Sequence, residues 1–127
     1  MERKKHVSHD QRILNALCKI QSPIVDKRHN LSVYFVNDKV RNNETRFEHI
    51  SKTSHELQVH DVERIPKQIN NPKTKFKRDK EHKDTFNYYI QRYGYSDIEY
   101  IKVSVLIDEN NSKQGKVKTI FITDKQK

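Results

Sequence analysis

The stretch YIKVSVLID, residues 100–108, decides the fold. Ile101, Val103, Val105 and Ile107 alternate with Tyr100, Lys102, Ser104 and Leu106, the period of two that a half-buried β-strand requires. Three neighbouring segments read the same way. KTKFKRDK (73–80) has the composition of a basic edge strand, and TFNYYIQRY (85–93) that of an aromatic strand. KVKTIFIT (116–123) forms a last strand, and the polar run from Asn110 to Gly115 reads as the turn before it. The expectation is an antiparallel meander of about four strands closing the chain.

Working towards the amino terminus, the period changes. Ile13, Leu14, Leu17, Cys18 and Gln21 follow helical spacing after the capping candidates Ser8 and Asp10, and Pro23 ends the run, so a first amphipathic helix is expected over about 9–21. Cys18, beside Leu14 and Leu17, is expected to be a buried thiol. LSVYFV (31–36) reads as a strand, with NDK turning it into a short hairpin with Val40 and Arg41. Short helical pieces follow over Glu44–Ile50 and over LQVHDVERI (57–65), with Pro66 starting a separate turn, PKQIN. There is no internal repeat and no composition break. The fold class is therefore α+β: N-terminal helices packed on one face of a C-terminal antiparallel sheet, in a single domain spanning 1–127.

Composition limits the function. Charged residues make up 34% of the 127 residues and apolar ones 32%, so one modest core is expected. Two glycines and three prolines are too few for a linker protein, and six tyrosines with five phenylalanines are too many for a disordered polyelectrolyte. Lysine and arginine outnumber aspartate and glutamate by 26 to 17, a formal charge of +9, which favours polyanionic partners: RNA, DNA or acidic membranes. No apolar run reaches the roughly 18–20 residues that cross a bilayer, and no secretion signal is visible, so a cytoplasmic protein without a membrane partner is expected. The single cysteine leaves no intrachain disulfide and no cysteine-based zinc site.

The segment RFEHISKTSHELQVHDVERIP (46–66) holds three of the seven histidines, His49, His55 and His60. Spacings of six and five residues lack the i, i+4 pairing of helical zinc ligands, and no metal or other cofactor is called for. Acid–base chemistry on RNA unites the histidines with the charge. RNA supplies its own nucleophile, the 2′-hydroxyl; an enzyme needs a base for that hydroxyl, an acid for the departing 5′-oxygen and donors for the phosphorane. Imidazole, with an ordinary pKa of about 6.5, serves both transfers, and each is worth about 10² to 10⁴ in rate. The bland alternative is three polar histidines on a solvated helix and its turn.

The order of these residues resembles the phage and polymorphic-toxin members of the barnase/EndoU/colicin/RelE-like (BECR) nuclease superfamily. RFEHISKTSH (46–55), then DVERIPKQINNP (61–72), then the strands ending in VKTIFIT carry the resemblance over roughly residues 31–124, leaving 1–30 as an N-terminal helical extension. It implies a metal-independent endoribonuclease of toxin type leaving 2′,3′-cyclic phosphate ends, with RNA, tRNA or another structured RNA included, as substrate and an acidic antitoxin or immunity protein as a partner. His49 and His55 match the family's histidines, Thr119 its last-strand threonine and Arg46 its basic residue before the first histidine. Here Thr53 and Ser54 precede His55, where the family often has a compact histidine motif.

Around this core, Lys102 points away from the apolar face of its strand, towards a phosphate or towards solvent. Tyr88 and Tyr89 face opposite ways, for base stacking or for sheet packing. Lys73, Lys75, Lys77 and Arg78 form a strip for the RNA backbone or a charged edge that discourages aggregation. Thr119 has an awkward register: Val117, Thr119 and Phe121 fall on one face and Ile120 and Ile122 on the other, as in a strand covered on both sides. The competing reading is a non-enzymatic basic mobile-element protein that binds nucleic acid or a host nucleoprotein defence complex. An antitoxin or regulator is disfavoured, because no helix-turn-helix with a basic recognition helix is visible.

Overall fold

The computed structural model describes residues 7–92 and 98–124. Tyr93, at the end of the expected aromatic strand, and residues 1–6 lie outside the described residues. The fold is α+β, with three helices preceding most of a sheet that is larger than expected and mixed. Six strands run in the order β1-β2-β8-β7-β6-β5, comprising β1 (Ile24–Asp26), β2 (Leu31–Tyr34), β5 (Lys75–Arg78), β6 (Thr85–Gln91), β7 (Tyr100–Asp108) and β8 (Asn111–Thr123). The four expected strands are β5 to β8, antiparallel throughout. The two extra strands come from the amino-terminal half, and β2 joins β8 in parallel.

Helix α1 (His9–Cys18) starts where Ser8 accepts a hydrogen bond from the Gln11 amide, and it buries Ile13, Ala16 and Leu17. It stops three residues before the expected end. Cys18 falls on the outward side of the last turn and is exposed, which corrects the expectation of a buried thiol. LSVYFV also pairs differently from expectation. Its first four residues form a hairpin with β1, through a turn in which Asn30 takes the left-handed conformation (φ 53°) that asparagine tolerates. Lys39–Arg41 (β3) instead pairs with Glu44–Thr45 (β4) in a separate two-stranded ribbon.

That ribbon launches α2 (Arg46–Thr53). Thr45 accepts from the Glu48 amide and Glu48 bonds back to the Thr45 amide at 3.0 Å, a reciprocal cap written in the sequence as T-x-x-E. Helix α3 (Val59–Gln68) opens with Asp61 accepting from the Gln58 amide at 2.9 Å. Pro66 lies inside α3 rather than starting a new turn: it forgoes one bond, and the Ile69 amide resumes the ladder on the Ile65 carbonyl. Residues 111–115 are strand rather than turn. The reversal is compressed into Glu109 and Asn110, with Asp108 accepting from the Asn110 amide at 2.8 Å.

The helices cover one sheet face, where Tyr88, Ile90, Ile101, Val103, Val105, Val117 and Ile120 meet Leu17, Phe47, Ile50, Val62 and Ile65. Ile13, Leu17 and Ile24 belong to this same core, so the expected amino-terminal extension is integral from α1 onwards. A register shift after Ser104 resolves the awkward position of Thr119. Ser104 lies opposite Thr119 and Val105 opposite Val117, with Lys118 as the extra residue. Val117 and Ile120 consequently both face the core, while Thr119 and Phe121 share the other face with Ser104 and Lys102.

Candidate functional site

Strand β2 pairs with β8 only across Gln114–Lys116, and α2 takes over beside the rest of β8. The Ser54 hydroxyl, at the carboxyl end of α2, donates to the Ile120 carbonyl, and the Arg46 guanidinium at the other end reaches the Lys118 carbonyl at 3.4 Å. Between the end of α2 and β8 lies a depression of ≈ 370 Å³, lined by Thr53, His55, Glu56, Thr119 and Phe121 among others. His55 and Thr119 thus share one surface. Among the described residues, neither the exposed His55 ring nor the Thr119 hydroxyl has a hydrogen-bond partner.

His49 lies one turn before Thr53, whose hydroxyl donates to the His49 carbonyl. Its Nδ1 lies 2.7 Å from Glu44 Oε1, and His49 does not line the depression. Glu44 also lies 3.6 Å from Lys52 and 3.7 Å from Arg41. The hydrogen bond from His49, followed by the charges of Arg41, His49 and Lys52, holds the Glu44 carboxyl below its ordinary range. A carboxylate can only accept, so Nδ1 carries the ring proton, and the side chain as a whole is 30% exposed. The structure therefore places the two histidines at successive positions along α2 and its exit, each with different surroundings.

Arg46 has a different setting from the one its sequence position suggests. Its Nε and Nη2 bond the two oxygens of Asp38 at 2.7 and 3.3 Å, and Lys116 bonds Asp38 at 2.9 Å. The Arg46 bond and then that of Lys116 hold the Asp38 carboxyl well below its usual range, against the opposing effect of burial. Arg46 pins the start of α2 to β8.

The sheet face opposite the helices carries Lys102. Its ammonium lies 5.1 Å from the Phe121 ring centroid and 5.9 Å from that of Tyr89, with no ion pair to a described residue. Cross-strand pairing aligns Lys75, Tyr89, Lys102 and Phe121 in one row, and Lys77, Asn87, Ser104 and Thr119 in the next. Tyr88 and Tyr89 do face opposite ways. Tyr88 is fully buried and donates to Asp26 at 2.6 Å; burial and this bond drive its phenol far above the ordinary range, and it faces no solvent where a base would stack. Tyr89, within the row, is only 1% exposed, with Lys102 near its ring and Tyr100 edge-on to it at 6.5 Å.

The basic strip is divided. Lys75 and Lys77 project on the Lys102 face, Arg78 projects on the other and lies 5.2 Å over the Phe86 ring, and Lys73 precedes the strand. His60 lies 3.6 Å from Asp61 and joins neither histidine. Two contributors escaped the sequence reading. Glu44 lies outside the helix it serves, five positions before His49, and Phe121 looked like core until the bulge at Lys118 turned it outwards. No family model, curated protein or solved structure matches this chain.

Proposed function

We propose that the chain is a metal-independent endoribonuclease of toxin type, cleaving by 2′-hydroxyl attack to leave a 2′,3′-cyclic phosphate. The observation that supports it is the Glu44–His49 pair: a carboxylate on Nδ1 fixes the ring's tautomer and stabilises the imidazolium that proton abstraction creates. In this reading the scissile phosphate lies over the exit of α2, between the depression and the Glu44 side, and His49 Nε2 removes the 2′-proton. The 2′-oxygen then bonds to phosphorus, the bond to the 5′-oxygen breaks, and His55 delivers a proton to that leaving oxygen. Thr119 and Lys102 donate to the non-bridging oxygens, whose charge grows in the transition state. Arg46 positions α2 and does not touch the phosphate. An acidic antitoxin or immunity protein would complement the +9 charge.

The test is incubation of purified protein with a panel of RNAs, tRNA included, in EDTA, with the ends analysed. Cleavage to cyclic phosphate is expected, reduced about 10² to 10⁴-fold by His49→Ala and by His55→Ala. Glu44→Gln should also slow it while leaving RNA binding intact. Intact RNA across the panel, or cleavage indifferent to both histidine variants, refutes the proposal.

The row Lys75–Tyr89–Lys102–Phe121 favours a second reading, because it needs no histidine: a non-enzymatic protein that grips nucleic acid or a nucleoprotein complex. Charge reversal at Lys75 and Lys77 would then abolish binding while the histidine variants bind normally.

A further inference from the structure

We propose that the part of the sheet face opposite the helices around Phe121 is a platform for single-stranded RNA, on which one base stacks against Phe121 and the flanking backbone follows the lysine ends of Lys102 and Lys75. Naming the strand as RNA rests on the ribonuclease reading; the stacking itself does not. In a chain so poor in apolar residues, Phe121 is left 37% exposed on a strand whose Val117 and Ile120 are buried. The β-bulge at Lys118 puts it there, in register with Lys102. The Lys102 ammonium sits between two rings, 5.1 Å from Phe121 and 5.9 Å from Tyr89, so the cation and the aromatic surface are held together at one point.

Tyr89 is too deeply covered to stack a base, and Thr85, Asn87 and Ser104 of the same face are buried too, which leaves Phe121 as the ring of this row that presents its surface. From Phe121 the row runs across β7 and β6 to the exposed Lys75 on edge strand β5, roughly 14 Å at the usual strand spacing. Two residues before Phe121 on the same face, the Thr119 hydroxyl has no partner among the described residues and is available to a phosphate or a 2′-hydroxyl. Phe121 and Thr119 also border the His55 depression, so a strand stacked on Phe121 passes His55 and Thr119. A duplex buries its base faces in its own stack and cannot use such a ring; an unpaired base can.

The chain contains no tryptophan, so Phe121→Trp creates a single fluorophore at the stacking position. It is titrated with a single-stranded 2′-O-methyl oligonucleotide, which lacks the nucleophile and cannot be cleaved. The expected result is quenched emission with affinity within a few-fold of the unsubstituted protein, measured in parallel by anisotropy of labelled oligonucleotide. Phe121→Ala should weaken binding by about 5- to 150-fold. Lys102→Gln should lower the slope of log affinity against log salt by about 0.7.

Absence of quenching on binding, or equal affinity for the duplex of the same sequence, overturns the platform. So does polyglutamate competing as well as the oligonucleotide while Phe121→Ala changes nothing, which would mark an acidic protein as the occupant. The tryptophan variant keeps the test decisive should the alanine variant fold poorly. Quenching without cleavage of ordinary RNA in EDTA would leave the platform standing and remove the ribonuclease; cleavage without quenching would do the reverse.

Discussion

Replacing Arg46 by methionine separates a residue that builds the site from one that acts in it. The substitution keeps the aliphatic stem and deletes the fork on Asp38, with its contacts at 2.7 and 3.3 Å, and the 3.4 Å contact to the Lys118 carbonyl. The Arg46 side chain is 17% exposed and that of Asp38 30%, between the fully buried pairs that are strongly destabilising to break and the surface pairs that contribute little. Asp38 keeps Lys116, so no carboxylate is stranded. The loss should be about 2 kcal/mol, or a fall in Tm of about 6–10 °C for a domain of this size. The effect has a pH signature. The Asp38 carboxyl is depressed in the folded protein, so its ionised form stabilises the fold fully above its unfolded pKa of about 3.9. That stabilisation fades as pH falls from there towards the lower folded value. Urea unfolding followed by circular dichroism should therefore show the full gap between Arg46→Met and the unsubstituted protein at pH 7, and a smaller gap at pH 3. Under the proposed function, RNA cleavage per folded molecule should fall far less than for His49→Ala. An unaltered unfolding midpoint at pH 7 together with lost cleavage would refute the structural role and return Arg46 to the phosphate.

Three further perturbations probe the frame. Arg92 bonds both oxygens of the fully buried Asp61, at 3.1 and 3.0 Å, so Arg92→Met should cost about 3–5 kcal/mol in urea unfolding, with Asp61→Asn in the same chain recovering part of it. A loss below about 1 kcal/mol would show that the pair contributes little. A Cβ on Gly115 would stand 2.6 Å from Val105 Cγ1 and 3.1 Å from the Leu106 carbonyl, so Gly115→Ala should lower stability by about 1–3 kcal/mol, read as Tm; a neutral result would mean the β7–β8 ladder yields. Exposed Cys18 should react with Ellman's reagent in the native protein as fast as in urea, and strong native protection would place it inside after all.

Much of this architecture was legible because its local and global preferences agree. The alternation in YIKVSVLID is β7, the helical spacing from Ile13 to Leu17 is α1, and the opposed faces of Tyr88 and Tyr89 follow from strand geometry alone. The failures have physical causes. Local pattern carries no information about the pairing of Leu31–Tyr34 with Gln114–Lys116, which sets the mixed topology and is fixed by packing between distant segments. The bulge at Lys118 reverses the faces of everything beyond it, so a strict period of two assigns Thr119 and Val117 to the same side. Proline preference placed a boundary at Pro66, but the burial of Ile65 and Ile69 keeps α3 and its continuation against the sheet. Within the candidate site, residue types alone made His55, Thr119 and Lys102 candidates, whereas Arg46 is held by an aspartate eight positions upstream that no motif marks.

The parallel pairing of β2 with β8 bears on how the chain reaches this state. The three helices and the β1–β2 hairpin are made first, yet the surface they rest on is built by strands synthesised later, and β2 meets its partner only when residues 114–116 exist. A nascent chain up to Gln68 holds Leu17, Phe47, Ile50, Val62 and Ile65 with no sheet to cover them. Docking is thus deferred until the last strand is available, the slow, non-local order of assembly that exposes apolar surface in the meantime. Deleting β8 should accordingly yield a chain that is retained by chaperones or degraded, rather than a smaller folded protein.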